Sequence, residues 1–308
     1  MTNEQERGLT VPTQGDAGDP HPDARPAPFL VPLTKGFVET TEYARFAQVC
    51  QVCQRYGAIA VCVGNDGVGK TKAARRYTQW DLIEPFFLAN RIDFEPYFSP
   101  DCPPPRTAFY RPRSTVTPKG LERELSLLLW SVQMLADNAR GLSREGLPSS
   151  SRLRSDGIDL LVVDEVDRLP HGCLEVLRDF QARYEFGLML LVRPAGLSRL
   201  LYCGPLASQV ATLHLFQALD RGATRQVLEL QVKQWGVKVE EKGLELFVDR
   251  TRGNFATMSN VLMHLAYLVE HQRVVTLTDE VVTVAISRLM IRENVSDLQK
   301  TLRGIKPM

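Results

Sequence analysis

The chain has 308 residues, 44% of them hydrophobic and 24% charged, with a formal net charge of +1. That length is enough for a large core and suits one large domain plus a small one, while the charge balance excludes a strongly basic molecule, so any nucleic-acid contact must come from local clusters of Arg and Lys. The longest apolar runs, such as Leu160 to Val163 and Leu188 to Val192, fall far short of the roughly 20 residues that span a bilayer.

The opening MTNEQERGLTVPTQGD carries polar and acidic residues where an export signal needs a basic flank and an apolar core, which predicts a cytoplasmic protein with no membrane partner. Residues 1 to 34 are rich in Pro, Gly and Asp and have no apolar periodicity; they read as a disordered arm. From Thr40 to Tyr56 apolar residues recur at helical spacing, with Thr40 or Thr41 as a cap. The pair Cys50 and Cys53 on this helix has C-x-x-C spacing but no second ligand pair, so the reading is core packing rather than metal. The six cysteines as a set, scattered along the chain, suit free thiols in a reducing compartment.

A strand over Ala58 to Val63 comes next, then a glycine-rich loop and a helix over Lys70 to Trp80. The Pro-rich stretch from Phe98 to Arg106 reads as a loop, Ala108 to Tyr110 as a short strand, Pro118 to Ala136 as a helix, and Asp137 to Asp156 as a polar surface loop. Strands over Ile158 to Val163 and Gly187 to Val192 bracket a helix over Pro170 to Tyr184. Apolar strands alternating with helices predict an α/β fold with a parallel sheet covered on both faces. Beyond Gly222 the pattern is helical, and Val237 to Val239 is too short to count as a strand. The expected domains are an α/β unit over 35–220, a small all-helical unit over 221–292 and a tail over 293–308.

The chemistry begins at Gly64, which is followed by four residues and then Gly69, Lys70 and Thr71, between a strand and a helix. That spacing is the phosphate-binding loop. Gly64, Asn65, Asp66, Gly67, Val68, Gly69, Lys70 and Thr71 are the expected nucleotide contacts: turning glycines aim backbone N–H groups at an anion, Lys70 reaches the β and γ phosphates, and Thr71 places a hydroxyl on Mg²⁺. Ninety-four residues after Lys70, LLVV ends in Asp164 and Glu165. On a second strand of the same sheet, Asp164 is expected to hold Mg²⁺ and Glu165 to orient or deprotonate the attacking water. Asp167 and Arg168, next on the loop, read as a surface ion pair or a contact with a neighbouring subunit. No Gly-x-Ser-x-Gly elbow appears and the five histidines lack metal-ligand spacing, so a serine or cysteine hydrolase is not supported; His264 reads as a packed helix residue.

With these residues, the chain resembles the TniB/TnsC-type AAA+ ATPases over roughly residues 36 to 290. The resemblance rests on GFVETTEYARF, RRYTQWDLIEP, VVDEVDRLPHGCLEVLRD, GLMLLVRPAGLSRLL and TRGNFATMSNVLMHL, of which FVETTEYARF and GNF with its helix are most particular to the group. It implies a P-loop AAA+ core with a helical lid, ATP and Mg²⁺ as cofactors, assembly into a ring or helical homo-oligomer on double-stranded DNA, and regulation of a transposase. The chain departs from the pattern at Val192, Arg193 and Pro194, where the family has Gly-Met-Pro or similar, at Gln209 and at Ala256, where arginines are expected. Arg252 is left as the nearest candidate for sensing nucleotide from the helical unit. Loss of an arginine at the transition state costs several powers of ten in rate, so hydrolysis is expected to be slow, or completed by Arg193, Arg199 or a partner.

Arg106, Arg111, Arg113, Lys119 and Arg123 fall within 18 positions that include one acidic residue, Glu122. Similar proteins line a filament from about this region, so Arg111, Arg113 and Lys119 are the candidate DNA contacts; a solvated basic face is the other reading. Phe109 and Tyr110 read as core. Two further functions stay open beside the DNA-bound regulator: an ATPase acting on a protein partner, and a nucleotide-gated binding module with little hydrolysis.

Overall fold

The computed structural model describes residues 38–88, 105–113, 115–139, 157–202 and 204–289. The arm, the tail, most of the Pro-rich loop and residues 140–156 lie outside the described residues; Asp137, where the polar loop was expected to begin, is still helical.

The helix α1 (Thr41–Tyr56) starts where Thr40 accepts a hydrogen bond from the Tyr43 N–H, and its buried face carries Phe46, Cys50 and Cys53. Both cysteines are core residues, and among the described residues no three or more of His, Cys, Asp and Glu gather into a metal-holding group. The strand β1 (Ile59–Val63) follows, then α2 (Lys70–Tyr77) and α3 (Trp80–Leu88). The single helix expected over Lys70 to Trp80 is therefore two. Thr78 turns its hydroxyl back onto the Ala74 carbonyl at 2.9 Å and Gln79 adopts φ 52°, a left-handed conformation that ends the first helix.

Next come β2 (Thr107–Tyr110), α4 (Pro118–Ala139), β3 (Leu160–Val163), a 3-10 turn at Val166–Arg168, α5 (His171–Tyr184), β4 (Gly187–Val192), α6 (Pro194–Leu201), α7 (Gly204–Ala207) and β5 (Val210–Leu215). The five strands are all parallel in the order β2-β3-β4-β1-β5. β1, β3 and β4 are buried along their whole length, as strands covered on both faces must be. Adjacent β1 and β4 send their outgoing connections to opposite sides, to β2 and β5, which opens a crevice at their carboxyl ends.

A second core gathers around Val227, Leu228, Leu244, Phe247, Leu262 and Leu265. It is built by α8 (Arg221–Trp235), α9 (Glu241–Thr251), α10 (Phe255–Gln272) and α11 (Asp279–Ser287). The helical region also contains a two-stranded parallel pair, β6 (Lys238–Val239) with β7 (Thr276–Leu277), where only helices were expected. Two residues per strand leave too little periodicity to read.

The sheet meets α1 closely at the start of β4. A methyl on Gly187 would stand 2.3 Å from the Cys53 carbonyl oxygen and 2.4 Å from its carbon, both backbone atoms that cannot swing aside. Gly187→Ala is expected to destabilise the fold by about 1–3 kcal/mol through overpacking. Urea unfolding checks this, and an unchanged midpoint would mean that α1 separates from the sheet without cost.

Candidate nucleotide-binding site

The loop between β1 and α2 is anchored to the strands on either side. The Gly64 N–H donates to the Val192 carbonyl at 3.2 Å, and the Phe216 N–H donates to the Val63 carbonyl at 2.7 Å. Gly67 and Gly69 have φ of 77° and 111°, values that a side chain would strain, and they allow the chain to wrap round an anion before entering α2. Lys70 is buried and turns into this wrap, its ammonium donating to the Gly64 carbonyl at 2.5 Å and the Asn65 carbonyl at 2.8 Å. Removal from water pushes its pKa down, with nearby carboxylates opposing that shift.

Thr71 donates its hydroxyl to Asp164 Oδ2 at 2.7 Å. Asp164 is 2% exposed at the end of β3 and takes a second bond from the Glu165 N–H at 2.9 Å. Burial raises its pKa, while the Thr71 and Glu165 bonds work against the rise. A hydroxyl and a buried carboxylate at one point supply the hard oxygen donors that Mg²⁺ takes, so these residues fit the metal.

Glu165 holds φ 52°, unusual for a residue with a side chain and a form of local strain that clusters at functional positions. Its carboxylate is gripped by Arg111, at the end of β2, and by Arg168 at 2.5 Å. Asp167 is bound by Arg193, with Nη2 to Oδ2 at 2.5 Å, and Arg193 also stands 4.0 Å from Asp66 of the loop. The Asp167 hydrogen bond raises the Arg193 pKa further. The ion pair expected between Asp167 and Arg168 thus does not form; each residue pairs elsewhere.

These groups, Arg111 excepted, line a cavity of about 650 Å³ whose lining also includes Phe255, Ala256, Ser259 and Asn260 of α10. A second cavity of about 440 Å³, with Thr40, Tyr43, Val68, Phe216, Val227 and Gln231 on its walls, shares Gly69, Lys72 and Phe255 with the first. Sequence reasoning assigned no role to Lys72 or Phe255, yet the Lys72 ammonium lies 4.7 Å from the centroid of the Phe255 ring, a cation–π contact at the junction of the two cavities. The GNF motif, which ends in Phe255, is the one sequence signal that points there.

Arg252 lies elsewhere. It ends α9 in a left-handed conformation and lines a separate cleft with Leu219 and Asp249, not the cavity beside the loop. Of the candidate DNA residues, Lys119 is exposed on α4, whereas Arg111 pairs with Glu165, Arg113 lies 3.7 Å from Glu124 and Arg106 is bidentate to Asp159. Gln209 is exposed just before β5, and Phe109 and Tyr110 are buried as expected.

If the loop binds phosphate, Lys70→Ala lowers ATP affinity by about 10- to 100-fold, the worth of a charge-assisted hydrogen bond of about 1.5–3 kcal/mol. Equilibrium binding of a fluorescent ATP analogue measures this, and unchanged affinity would remove the loop from the site.

Comparison with known proteins agrees with this geometry. Residues 53–201 match the family described as AAA domain. A protein of Staphylococcus aureus named "Potential ATP-binding protein" is 28% identical over 271 residues, which cover 83% of this chain and 97% of that one. Among solved structures, the Thermotoga maritima RuvB Holliday junction branch migration motor aligns with TM-score 0.51 at 14% identity, over 82% of this chain and 70% of that one. The Aeropyrum pernix ORC1 protein in complex with DNA aligns with TM-score 0.51 at 18% identity, over 84% and 67%. The ADP form of the Aeropyrum pernix ORC2 protein aligns with TM-score 0.52 at 15% identity, over 89% and 78%. At these identities the solved structures speak for the fold alone. The chain therefore has a parallel-sheet P-loop fold, and its similarity to an AAA domain extends over residues 53–201.

Proposed function

We propose that the protein is a Mg²⁺-dependent ATPase, slow by itself, that assembles as a ring or helical homo-oligomer on double-stranded DNA and regulates transposition by recruiting a transposase. The observation that carries the catalytic half is the placement of Glu165: it lines the same cavity as Lys70, Thr71 and Asp164, next to the Thr71–Asp164 hydrogen bond. Lys70 neutralises phosphate charge. Thr71 and Asp164 hold the metal, which when bound supplies positive charge to the phosphoryl group in flight. Glu165 accepts a proton from the attacking water.

That last role requires a free carboxylate, and here two guanidiniums occupy it. Arg111 connects this clamp to the basic segment. A DNA phosphate that takes Arg111 leaves Glu165 with one partner fewer, so duplex binding and hydrolysis are linked through one side chain. The solved relatives named as a branch migration motor and as a protein in complex with DNA support the DNA half by analogy of fold. The motif resemblance set out above supports the transposition reading. The clamp on Glu165 and the exposed Gln209 also favour a second reading, a nucleotide-gated module with little turnover.

Single-turnover hydrolysis separates the two. Glu165→Gln should slow hydrolysis by about 10²- to 10⁴-fold, and equal rates in the two proteins leave only the gated module. With ATP and Mg²⁺ at low salt, association should grow with duplex length, weaken as salt rises and accelerate hydrolysis. Arg111→Ala should raise the DNA-free rate severalfold and flatten its response to DNA. Absence of length-dependent association removes DNA from the proposal, and a nuclease-insensitive complex recovered in its place points to a protein partner.

A further inference from the structure

We propose that Asn254 is a positioning residue through which the helical region senses the occupancy of the phosphate-binding loop, by way of the loop's own backbone rather than an arginine. The inference rests on the nucleotide-binding reading of the cavity and names how that site is regulated.

Asn254 uses both ends of its amide. Its Oδ1 caps α10, accepting from the Thr257 N–H at 3.0 Å and the Thr257 hydroxyl at 3.2 Å, while its Nδ2 donates to the Asp66 carbonyl at 2.9 Å. Two residues further on, the Ala256 N–H donates to the Gly67 carbonyl, also at 2.9 Å. The first N–H groups of a helix have no intrahelical acceptor, and α10 spends one of them on the loop. The fit is close: a methyl on Gly67 would stand 2.6 Å from Asn254 Oδ1.

Peptide planarity gives these two bonds a consequence. Every described peptide bond is trans, and in a planar trans unit the C=O and N–H point in opposite directions. The carbonyls of Asp66 and Gly67 share their units with the N–H groups of Gly67 and Val68. Drawing the two carbonyls toward α10 turns those N–H groups away from it, leaving them to an anion. Docking of α10 and capture of a phosphate therefore act on opposite ends of the same two peptides, and each polarises the unit in the direction that favours the other. Beside them the Ala256 side chain lines the cavity with no charge to offer, so the backbone route replaces an ionic one. The contact of Lys72 with Phe255 closes the same junction from the α2 side.

The test compares Asn254→Ser with Asn254→Ala in the full chain. Serine keeps the cap, being as good an N-cap as asparagine, but loses the amide donor; alanine loses both. Release of a fluorescent ADP analogue labelled on the ribose is followed by stopped flow, and melting is followed without nucleotide. Both variants should release the analogue about tenfold faster than the wild type, within the 5- to 150-fold range of ordinary couplings between sites. Only Asn254→Ala should melt lower. If Asn254→Ser matches the wild type in release as well as in melting, Asn254 is a helix cap and nothing more. A wild type that binds the analogue no better than Lys70→Ala defeats the nucleotide reading itself, which is a different failure.

Discussion

A single side-chain hydrogen bond, from Thr71 on α2 to Asp164 at the end of β3, joins two strands that do not touch. β4 lies between β3 and β1 in the sheet, so the bond reaches across its carboxyl end and closes the crevice from above. Within the sheet the loop is otherwise tied to its neighbours β4 and β5, through Val192 and Phe216, and outside it to α10 through Asn254 and Ala256. Asp164 tolerates its burial because the Thr71 hydroxyl and the Glu165 N–H both serve it. A buried carboxylate so served is costly to leave half-satisfied, and its partners are thereby held in place. The loop, Thr71, Asp164 and Glu165 are consequently one connected constellation.

Around that constellation the charges are already matched. Glu165 faces Arg111 and Arg168, Asp167 faces Arg193, and the Lys70 ammonium is satisfied by loop carbonyls. A triphosphate entering such a cavity finds Lys70, Arg168 and Arg193 already held and has to exchange with the carboxylates and carbonyls that hold them. Exchange at Arg111, Arg168 or Arg193 frees a carboxylate, and on the proposed reading the one that matters chemically is Glu165. On the proposed reading, the arrangement stores its base in an ion pair and releases it in proportion to the negative charge brought near, whether by nucleotide or by a polyanion at Arg111.

Much of this frame was legible in the residues. β1, β3 and β4 are unbroken apolar runs because both faces are buried, and the phosphate loop has a spacing that little else requires. β5 escaped because it lies at the sheet edge and alternates partly buried with exposed positions, so Val210 to Leu215 mixes Thr and His into its apolar residues and yields no run. The pairings of the arginines escaped for a different reason. Arg111 and Glu165 are 54 positions apart, Arg193 and Asp167 are 26 apart, and no local pattern connects them. The resemblance supplied the places where arginines are expected and marked Gln209 and Ala256 as departures, but it did not say what stands in for them.

What stands in at Ala256 is the junction between the two cores. The chain passes from β5 through Phe216, whose N–H extends the β1 ladder, to Leu219, whose N–H bonds the Gly253 carbonyl at 3.0 Å. Gly253 leads directly into Asn254 and the cap of α10. The covalent path out of the sheet and the first turn of α10 are therefore pinned to each other within a few residues of the loop they both touch. A helix held at two points so close together has little freedom to swing, but it can register a change in the direction of two peptide planes. An arginine on a long side chain can follow a phosphate through a wide motion, whereas a capping amide cannot. The trade of one for the other makes the helical region a short-range reader of the loop, and the range of motion available to it is set by the Asn254 and Ala256 bonds.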